Sequence, residues 1–267
     1  MLLPEGKEHT GNAARTTTGK EKEFMSENAN TTQDIKVTDK MRSDIDTILT
    51  DKNGVKKRLF ITAMNTEDNA EFLSRAPHIE KEDLSIVCRV LLSPEMLSQE
   101  GAAMASMVVT DKALERMGFT KEELFDEAFL NAPKLRPAHL LTRIENILGY
   151  PEMEENAGLY LVTTEDAVLG AAVIFYPGMM EAYSRMLKGG YYILPSSKHE
   201  LLLLPDTEET DAATLIGIVK SINAEVVSAD EKLSDSVYHY SPEEHEFEKA
   251  ETYEKKTKNG DTAGTGK

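Results

Sequence analysis

The chain has very little cysteine, no tryptophan and no long apolar run. Its one cysteine, Cys88, excludes an intrachain disulfide and lies in the apolar run LSIVCRVLL, where a lone thiol behaves as a small hydrophobic residue. A chain without disulfides is typical of a reducing compartment, so the sequence predicts a cytoplasmic protein. No apolar run approaches the ~20 residues that a membrane-spanning helix needs, and the N-terminus is charge-rich where a secretory signal is apolar. We therefore expect no membrane partner.

Basic residues are also scarce. The chain has 30 Lys and Arg against 47 Asp and Glu, which gives a formal net charge of -17. Residues 1–42 carry equal numbers of the two signs, so the whole acidic excess lies in the rest of the chain. Affinity for nucleic acid comes largely from Lys and Arg side chains that neutralise phosphates. We therefore expect no nucleic-acid partner, and we interpret the acidity as a well-solvated surface.

Composition along the 267 residues predicts one domain between polar ends. Residues 1–42 contain hardly any large apolar side chains and are predicted to be a disordered tail, because such a segment buries too little surface to offset its ordering entropy. Residues 43–54 are expected to form a weak amphipathic helix and a linker. Residues 55–247 are expected to form a single domain, and residues 248–267 a second disordered tail.

The predicted strands arrive in pairs. LSIVCRVLL is expected to pair with GAAMASMVVT, LYLVTT with GAAVIFYP, and YYIL with HELLLLP, while KKRLFITAMN and VYHYS are further strands. Strand pairs joined by short links and followed by helices are typical of an antiparallel sheet, whereas a parallel sheet needs a helix between successive strands. We therefore predict an α+β fold, a mainly antiparallel sheet with helices packed on it.

Local signals also predict the ends of several helices. The segment FTKEELFDEAF opens with Thr120 and Glu123 in the register of a capping box. Asp211 is expected to cap the helix DAATLIGIVKSINAEV, and MMEAYSRML is a shorter helix. RPAHLLTRIENILGYP is predicted to be a helix from Pro137 to Gly149, since proline favours the first helical position and glycine the end.

A short polar cluster, PSSKHE, stands between the apolar runs YYIL and LLLLP. Its candidate catalytic residues are Ser196, Ser197, His199 and Glu200, because nucleophilic catalysis needs a hydroxyl, a base and a group that orients the base. The alternative is a structural turn: Pro195 presets turn geometry, and serine hydroxyls bond to nearby backbone groups. In an extended strand Ser197 and His199 would lie too far apart for a direct hydrogen bond.

The sequence predicts no metal site and no cofactor. The histidines are scattered, and neither H-E-x-x-H nor C-x-x-C occurs. The phosphate-binding pattern G-x-x-x-x-G-K-[ST] is also absent. A convergence of His199 and Glu200 with the distant His239 depends on the fold and stays open here.

One resemblance can be drawn from the order of the segments LYLVTT, GAAVIFYPG, YYILPSSKHELLLLPD and LSDSVYHY, preceded by MNTEDNAEFLSRAPHIEKEDLSIV. This order resembles a family of bacterial proteins defined only as a domain of unknown function. The resemblance covers residues 57–247 and implies a bacterial source, since members are met mainly in anaerobic gut bacteria and often near mobile genetic elements. It implies no activity. Members usually begin with a further folded segment, where this chain has a polar tail.

Two functional hypotheses follow from the sequence. The first is a non-catalytic binding or accessory module whose partner is an unknown protein or small molecule. The alternative is a small hydrolase or metal-dependent enzyme centred on the PSSKHE cluster. The surroundings of His199 distinguish the two, because an enzyme needs that ring to face a cleft with a second polar group near it.

Overall fold

The computed structural model describes residues 39–92, 105–142, 158–207 and 210–264. These ranges lie in the unit Asp39–Lys267, the second of the two units into which the chain divides. The disorder predicted for the N-terminal tail falls outside the described residues up to residue 38. The helix predicted from residue 43 begins earlier, at Asp39.

The helices of the described residues begin and end where local signals favour it. Thr120 accepts the backbone N–H of Glu123, and the Glu123 carboxylate accepts the N–H of Thr120, so the predicted capping box is confirmed. Asp211 caps its helix as predicted, through the N–H of Thr214 at 2.8 Å. The helices are α1 Asp39–Thr50, α2 Lys52–Lys56, α3 Ala70–Leu73, α4 Asp111–Met117, α5 Lys121–Leu135, a 3-10 helix Gly170–Phe175, α6 Met179–Leu187, α7 Ala212–Glu225 and α8 Ala250–Gly264.

The strands of the described residues form two sheets, one of four strands and one of six. Every pairing is antiparallel, so the predicted α+β class is confirmed, with two sheets in place of one. The strands are β1 Leu59–Asn65, β2 His78–Lys81, β3 Leu84–Leu91, β4 Ser106–Val108, β5 Ala138–Thr142, β6 Tyr160–Thr164, β7 Tyr191–Pro195, β8 Leu201–Pro205, β9 Tyr238–Ser241 and β10 Glu246–Lys249.

In the four-stranded sheet β3 is central. All of β1 pairs with it, and β2 and β4 pair with different parts of it. The six-stranded sheet has the order β10-β9-β7-β8-β6-β5. Its middle contains the predicted pair YYIL and HELLLLP, which is confirmed as β7 and β8.

The apolar interior forms two clusters. The larger contains residues of both sheets, the 3-10 helix and helices α1, α2, α4, α5 and α6, such as Leu124 and Ile193. The smaller joins β7 and its neighbours to α7 and α8, and its members include Tyr192 and Val219. Each fully buried aliphatic side chain contributes about 1.5–3 kcal/mol, so these clusters stabilise the pairing of the strands.

Two predictions of secondary structure are wrong. The segment GAAVIFYP is a buried 3-10 helix over Gly170–Phe175, and β6 pairs with β5 and β8 instead. A short apolar run does not distinguish a strand from a buried helix. The helix predicted from Pro137 is the strand β5 over Ala138–Thr142, and its later part falls outside the described residues. Proline disfavours helical geometry in its predecessor, and Arg136 is not helical, with φ -141° and ψ 75°.

The C-terminal segment is helical where a disordered tail is predicted. Helix α8 follows β10 directly, and Ala250 at its start is fully buried. The ring of Tyr253 stacks on that of His239 with centroids 3.5 Å apart. The composition of this segment is polar on average, so it does not reveal these two anchors. Within the described residues, none of the helices combines the length and apolar character that spanning a membrane requires.

Candidate functional site

The PSSKHE cluster lies in the turn that joins β7 to β8, two inner strands of the six-stranded sheet. Pro195 and Leu201 are the last paired residues before the turn. Leu201 and Leu203 are buried, and the residues from Ser196 to Glu200 are partly buried. The strand pair therefore brings the four predicted site residues together in one turn.

Both serine hydroxyls bond within this turn. The Ser197 Oγ accepts the backbone N–H of His199 at 3.1 Å, which is the local bond that favours serine in turns. The Ser196 hydroxyl donates to Oε1 of Glu200 at 3.4 Å. Among the hydrogen bonds of the described residues, none joins a serine hydroxyl to the His199 ring.

The ring of His199 is held by two other segments of the chain. Its Nδ1 accepts the backbone N–H of Leu169 at 2.9 Å. Because Nδ1 accepts, Nε2 carries the proton and donates to the carboxylate of Glu231. Both nitrogens are thus engaged by groups that position the ring.

The turn is also tied to the loop around Glu231 by its lysine. The ammonium of Lys198 lies 3.0 Å from Oε1 of Glu231 and donates to the carbonyl of Asp230 at 3.1 Å. The backbone N–H of Lys198 donates to the carbonyl of Glu231 at 2.9 Å. One carboxylate therefore holds two consecutive side chains of the turn, Lys198 and His199.

The other side of the turn contacts β6 and the 3-10 helix. The carbonyl of His199 accepts the hydroxyl of Thr163 at 2.7 Å, and the carbonyl of Lys198 accepts the N–H of Ala171 at 3.3 Å. This close approach needs a glycine at position 170, where a Cβ atom would lie 2.6 Å from the His199 carbonyl oxygen. The polar groups of the cluster thus join three chain segments.

Glu200 is the one residue of the cluster with a perturbed carboxyl group. Burial raises its pKa, and the hydrogen bond from Ser196 and the nearby His199 offset only part of that effect. A carboxyl group with a raised pKa is a feature of general acids, although buried structural carboxyl groups show it too. Its bonded partner is a serine in the same turn.

His239 does not join His199 and Glu200. It lies on β9, only 1% exposed, and its Nε2 is 3.1 Å from Oδ2 of Asp206. Tyr253 donates to the same oxygen at 3.0 Å. Burial alone would raise the pKa of Asp206, but these hydrogen bonds and the charge of His239 hold it below its usual value. His239 therefore does not form a site with His199 and Glu200, the possibility that the sequence left open.

A second polar cluster, which sequence reasoning missed, surrounds Asp83. This carboxylate accepts hydroxyl bonds from Ser234 at 2.7 Å, Tyr238 at 2.8 Å and Ser236 at 3.0 Å, and Lys249 lies 3.5 Å away. Burial raises the pKa of Asp83, but these contacts outweigh it and lower the pKa overall. In the run SDSVY the three hydroxyl donors stand at every second residue, a spacing that suits a shared carboxylate partner. The run does not identify Asp83 as that partner.

A third cluster surrounds Arg136, whose side chain is 3% exposed. Its Nη2 donates to Thr164 at 3.0 Å, to Asp166 at 2.5 Å and to the carbonyl of Val168. The guanidinium also lies 5.1 Å from the centre of the Phe60 ring. These bonds fix the loop that leads from β6 to the 3-10 helix.

Two surface clefts lie away from the PSSKHE turn. One has about 440 Å³ and lies between α1, β4 and α4, with the lining residues Leu49, Met107, Thr110, Lys112, Ala113, Glu115 and Arg116. The other has about 330 Å³ and lies beside α7 and β10, with the lining residues Ile216, Lys220, Asp235, Ser236, Val237, Lys249 and Glu251. No residue of the turn lines either cleft.

Comparison with known proteins identifies the family. Residues 15–242, well over half of the chain, match the family of unknown function DUF5688. The chain belongs to this family. The match includes the PSSKHE turn and the donors of the Asp83 cluster, and it begins earlier than the resemblance seen in the sequence. Neither the comparison with curated proteins nor that with solved structures gives a significant match.

Proposed function

We propose that this member of DUF5688 is a non-catalytic binding or accessory module. The observation that carries the proposal is the state of the PSSKHE turn, in which the Ser197 hydroxyl receives the N–H of His199 and the His199 ring is held by Leu169 and Glu231. A serine nucleophile needs a base within hydrogen-bond reach. The groups that would do hydrolytic chemistry instead hold the turn.

The proposed partner is a protein or a small molecule. For a small molecule the places to test are the two clefts of about 440 and 330 Å³, since both volumes lie in the range of about 300–1,000 Å³ that such sites occupy. The net charge of -17 argues against nucleic acid. The proposed setting is the bacterial cytoplasm, which the single cysteine, Cys88, supports, because a chain without an intrachain disulfide is typical of a reducing compartment.

The experiment combines a ligand screen with a test for turnover. Purified protein is screened by thermal shift against amino acids, nucleotides, sugars and organic acids. Each compound that binds is recovered after long incubation with the protein, and its mass is measured by mass spectrometry. Chromogenic esters and phosphate esters are assayed in parallel. The variants are Ser197→Ala and His199→Ala, with Ser221→Ala as the matched control because Ser221 is exposed on α7.

A ligand that binds and is recovered unchanged supports the proposal. We expect Ser197→Ala and His199→Ala to lower the melting temperature and to reduce binding only in step with that loss. The opposite result is hydrolysis that Ser197→Ala abolishes at an unchanged melting temperature. It would replace the binding module with the hydrolase hypothesis.

A further inference from the structure

Three glutamates at the C-terminal edge of the six-stranded sheet bring their carboxylates together. They are Glu244, in the turn before β10, and Glu246 and Glu248 on that strand, and one oxygen of each lies within 4.8 Å of the others. Side chains two apart on a strand project from the same face, which places Glu246 and Glu248 side by side. The cluster lies beyond the end of the family match at residue 242.

Glu248 is the unusual member of this cluster. Its side chain is only 3% exposed, and neither carboxylate oxygen accepts a hydrogen bond from the described residues. Burying a carboxylate without hydrogen bonds is costly unless a positive charge compensates it. Such a group, aimed at two further carboxylates, indicates a place for a cation.

The ammonium of Lys256 supplies that positive charge. It projects from α8 and lies 2.8 Å from Oε2 of Glu246 and 2.9 Å from Oε2 of Glu248. The contact with Glu248 has the distance of an ion pair but not the geometry of a hydrogen bond, and Oε1 of Glu248 keeps no partner among the described residues.

The ammonium of Lys256 can leave this position without any change in the backbone of α8. Its side chain is 47% exposed, so the ammonium can turn into solvent by rotation about its own bonds. A cation that binds the three carboxylates therefore displaces the ammonium into solvent.

We propose that Glu244, Glu246 and Glu248 form a binding site for a hard divalent cation of the size of Ca²⁺, and that Lys256 occupies it when no cation is bound. Ca²⁺ binds oxygen ligands at about 2.3–2.6 Å, so two oxygens on one ion lie at most about 4.6–5.2 Å apart, and the three carboxylate oxygens, all within 4.8 Å of one another, meet that condition. Mg²⁺ is a poorer fit, because it demands near-ideal octahedral geometry at about 2.0–2.1 Å.

The site has room for the remaining ligands. Glu244 is exposed and Glu246 is partly exposed, so both can adjust around an ion and water can complete its coordination. The net charge of -17 also raises the local concentration of cations. This inference goes beyond the proposed binding role and does not depend on it.

The test is calorimetric titration of the full chain with CaCl₂. Lys256→Met is expected to bind Ca²⁺ at least about tenfold more tightly than the unchanged protein, because a unit charge a few Å from the ion is removed. Glu248→Gln is expected to weaken binding by at least about tenfold for the same reason. Lys258→Met is the control: Lys258 lies on the same helix and pairs with Glu254, so binding should change by less than about twofold.

The proposal is overturned if Lys256→Met binds Ca²⁺ no more tightly than the unchanged protein, or if Glu248→Gln binds it equally well. MgCl₂ in the same titration should bind more weakly than CaCl₂, and equal binding would contradict the assigned size. If Lys256→Met fails to fold, the thermal shift decides: Ca²⁺ should raise the melting temperature of the unchanged protein and leave that of Glu248→Gln where it was. Equal shifts would overturn the site.

Discussion

The phenol of Tyr238 donates a 2.8 Å hydrogen bond to Oδ1 of Asp83, and these two residues join the two sheets. Tyr238 lies on β9 of the six-stranded sheet, and Asp83 lies in the turn between β2 and β3 of the other sheet. The hydroxyls of Ser234 and Ser236 reach the same carboxylate from the segment that leads into β9. The Asp83 carboxylate thus accepts hydrogen bonds from three hydroxyl groups.

We expect Asp83→Asn to destabilise the protein by about 1.5–3 kcal/mol, the contribution of a hydrogen bond to a charged group. The amide keeps one acceptor oxygen, but its NH₂ group faces hydroxyl donors. Urea denaturation measures the loss. Asp126→Asn is the control, because Asp126 is exposed on α5 and should change the free energy of unfolding little. Equal effects of the two substitutions would contradict the role of the cluster.

The same cluster predicts a pH dependence. The pKa of Asp83 is lower in the folded protein than in the unfolded chain, because its hydrogen bonds and Lys249 outweigh burial. Its contribution to stability is therefore complete above the unfolded pKa of about 3.9 and is lost as the pH falls towards the folded value. In acid titrations followed by circular dichroism, Asp83→Asn should lose stability less steeply than the unchanged protein below about pH 4. Parallel curves would exclude this contribution.

The capping box of α5 gives a second prediction. Thr120→Ala removes the hydroxyl that accepts the Glu123 N–H and should lower the free energy of unfolding by about 1 kcal/mol. Thr120→Ser keeps an acceptor in the same place and serves as the matched control. Thermal denaturation of the three proteins measures the difference. If Thr120→Ser loses as much as Thr120→Ala, the hydroxyl is not what stabilises this helix end.

This helix end shows what could be predicted from sequence. Thr120 and Glu123 interact across three residues, and Asp211 with Thr214 does the same, so the residues that form these caps stand together in the chain. The pair of strands around the PSSKHE turn is equally local. Each of these predictions is confirmed because the interaction that decides it lies within a few residues.

The features that the sequence did not predict depend on residues far apart in the chain. The run GAAVIFYP forms a 3-10 helix because β6 pairs with β8, a strand almost 40 residues further along, and leaves no partner edge for it. Asp83 and Tyr238 are 155 residues apart in the chain. Candidate residues of the PSSKHE turn could be named from sequence, but their bonds to Leu169 and Glu231 could not, because those partners come from segments that only the fold brings close.

Glu200→Gln is expected to stabilise the protein at neutral pH. Burial raises the pKa of Glu200, so the folded protein binds this proton more tightly than the unfolded chain does. Stability therefore falls as the pH rises from the unfolded pKa of about 4.3 through the folded value, and the ionised form costs free energy above it. A glutamine removes that cost and still accepts the Ser196 hydroxyl.

The measurement is the melting temperature of the two proteins between pH 4 and 8. Glu200→Gln should melt higher at pH 7 to 8, and the difference should shrink towards pH 4. A lower melting temperature at pH 7 would show that the carboxylate stabilises the turn in its ionised form. Loss of any ligand binding together with higher stability would instead identify Glu200 as a functional group.

The C-terminal helix gives a fourth prediction. Tyr253 stacks on His239 and donates a hydrogen bond to Asp206. Tyr253→Ala should therefore lower the free energy of unfolding by about 2–3 kcal/mol, which is less than the loss of about 3–5 kcal/mol for a fully buried aromatic residue. Tyr253→Phe keeps the stack and loses only the hydrogen bond, at a cost of about 1 kcal/mol. Denaturation by urea orders the three proteins. A chain that tolerates both substitutions unchanged would have the disordered tail that its composition suggests.

The last prediction compares two glycines with opposite surroundings. At Gly170 an added Cβ would lie 2.6 Å from both the His199 carbonyl oxygen and the backbone nitrogen of Thr164. These are backbone atoms, so no change of rotamer relieves the clash, and Gly170→Ala should cost about 1–3 kcal/mol or more. At Gly217, inside α7, nothing lies within 4 Å of the added atom, and Gly217→Ala should stabilise the protein by about 0.5–1 kcal/mol.

In urea denaturation the free energy of unfolding should therefore fall for Gly170→Ala and rise for Gly217→Ala. Hydrogen exchange locates the cause: in Gly170→Ala the amides of Leu169 and Ala171, which bond to His199 and Lys198, should exchange faster than in the unchanged protein. The amides of α7 should stay protected, because that helix packs on the other cluster of the core. If Gly170→Ala is as stable as the unchanged protein, the 3-10 helix does not need its close approach to the PSSKHE turn, and the contacts of the turn with Glu231 and Thr163 are sufficient.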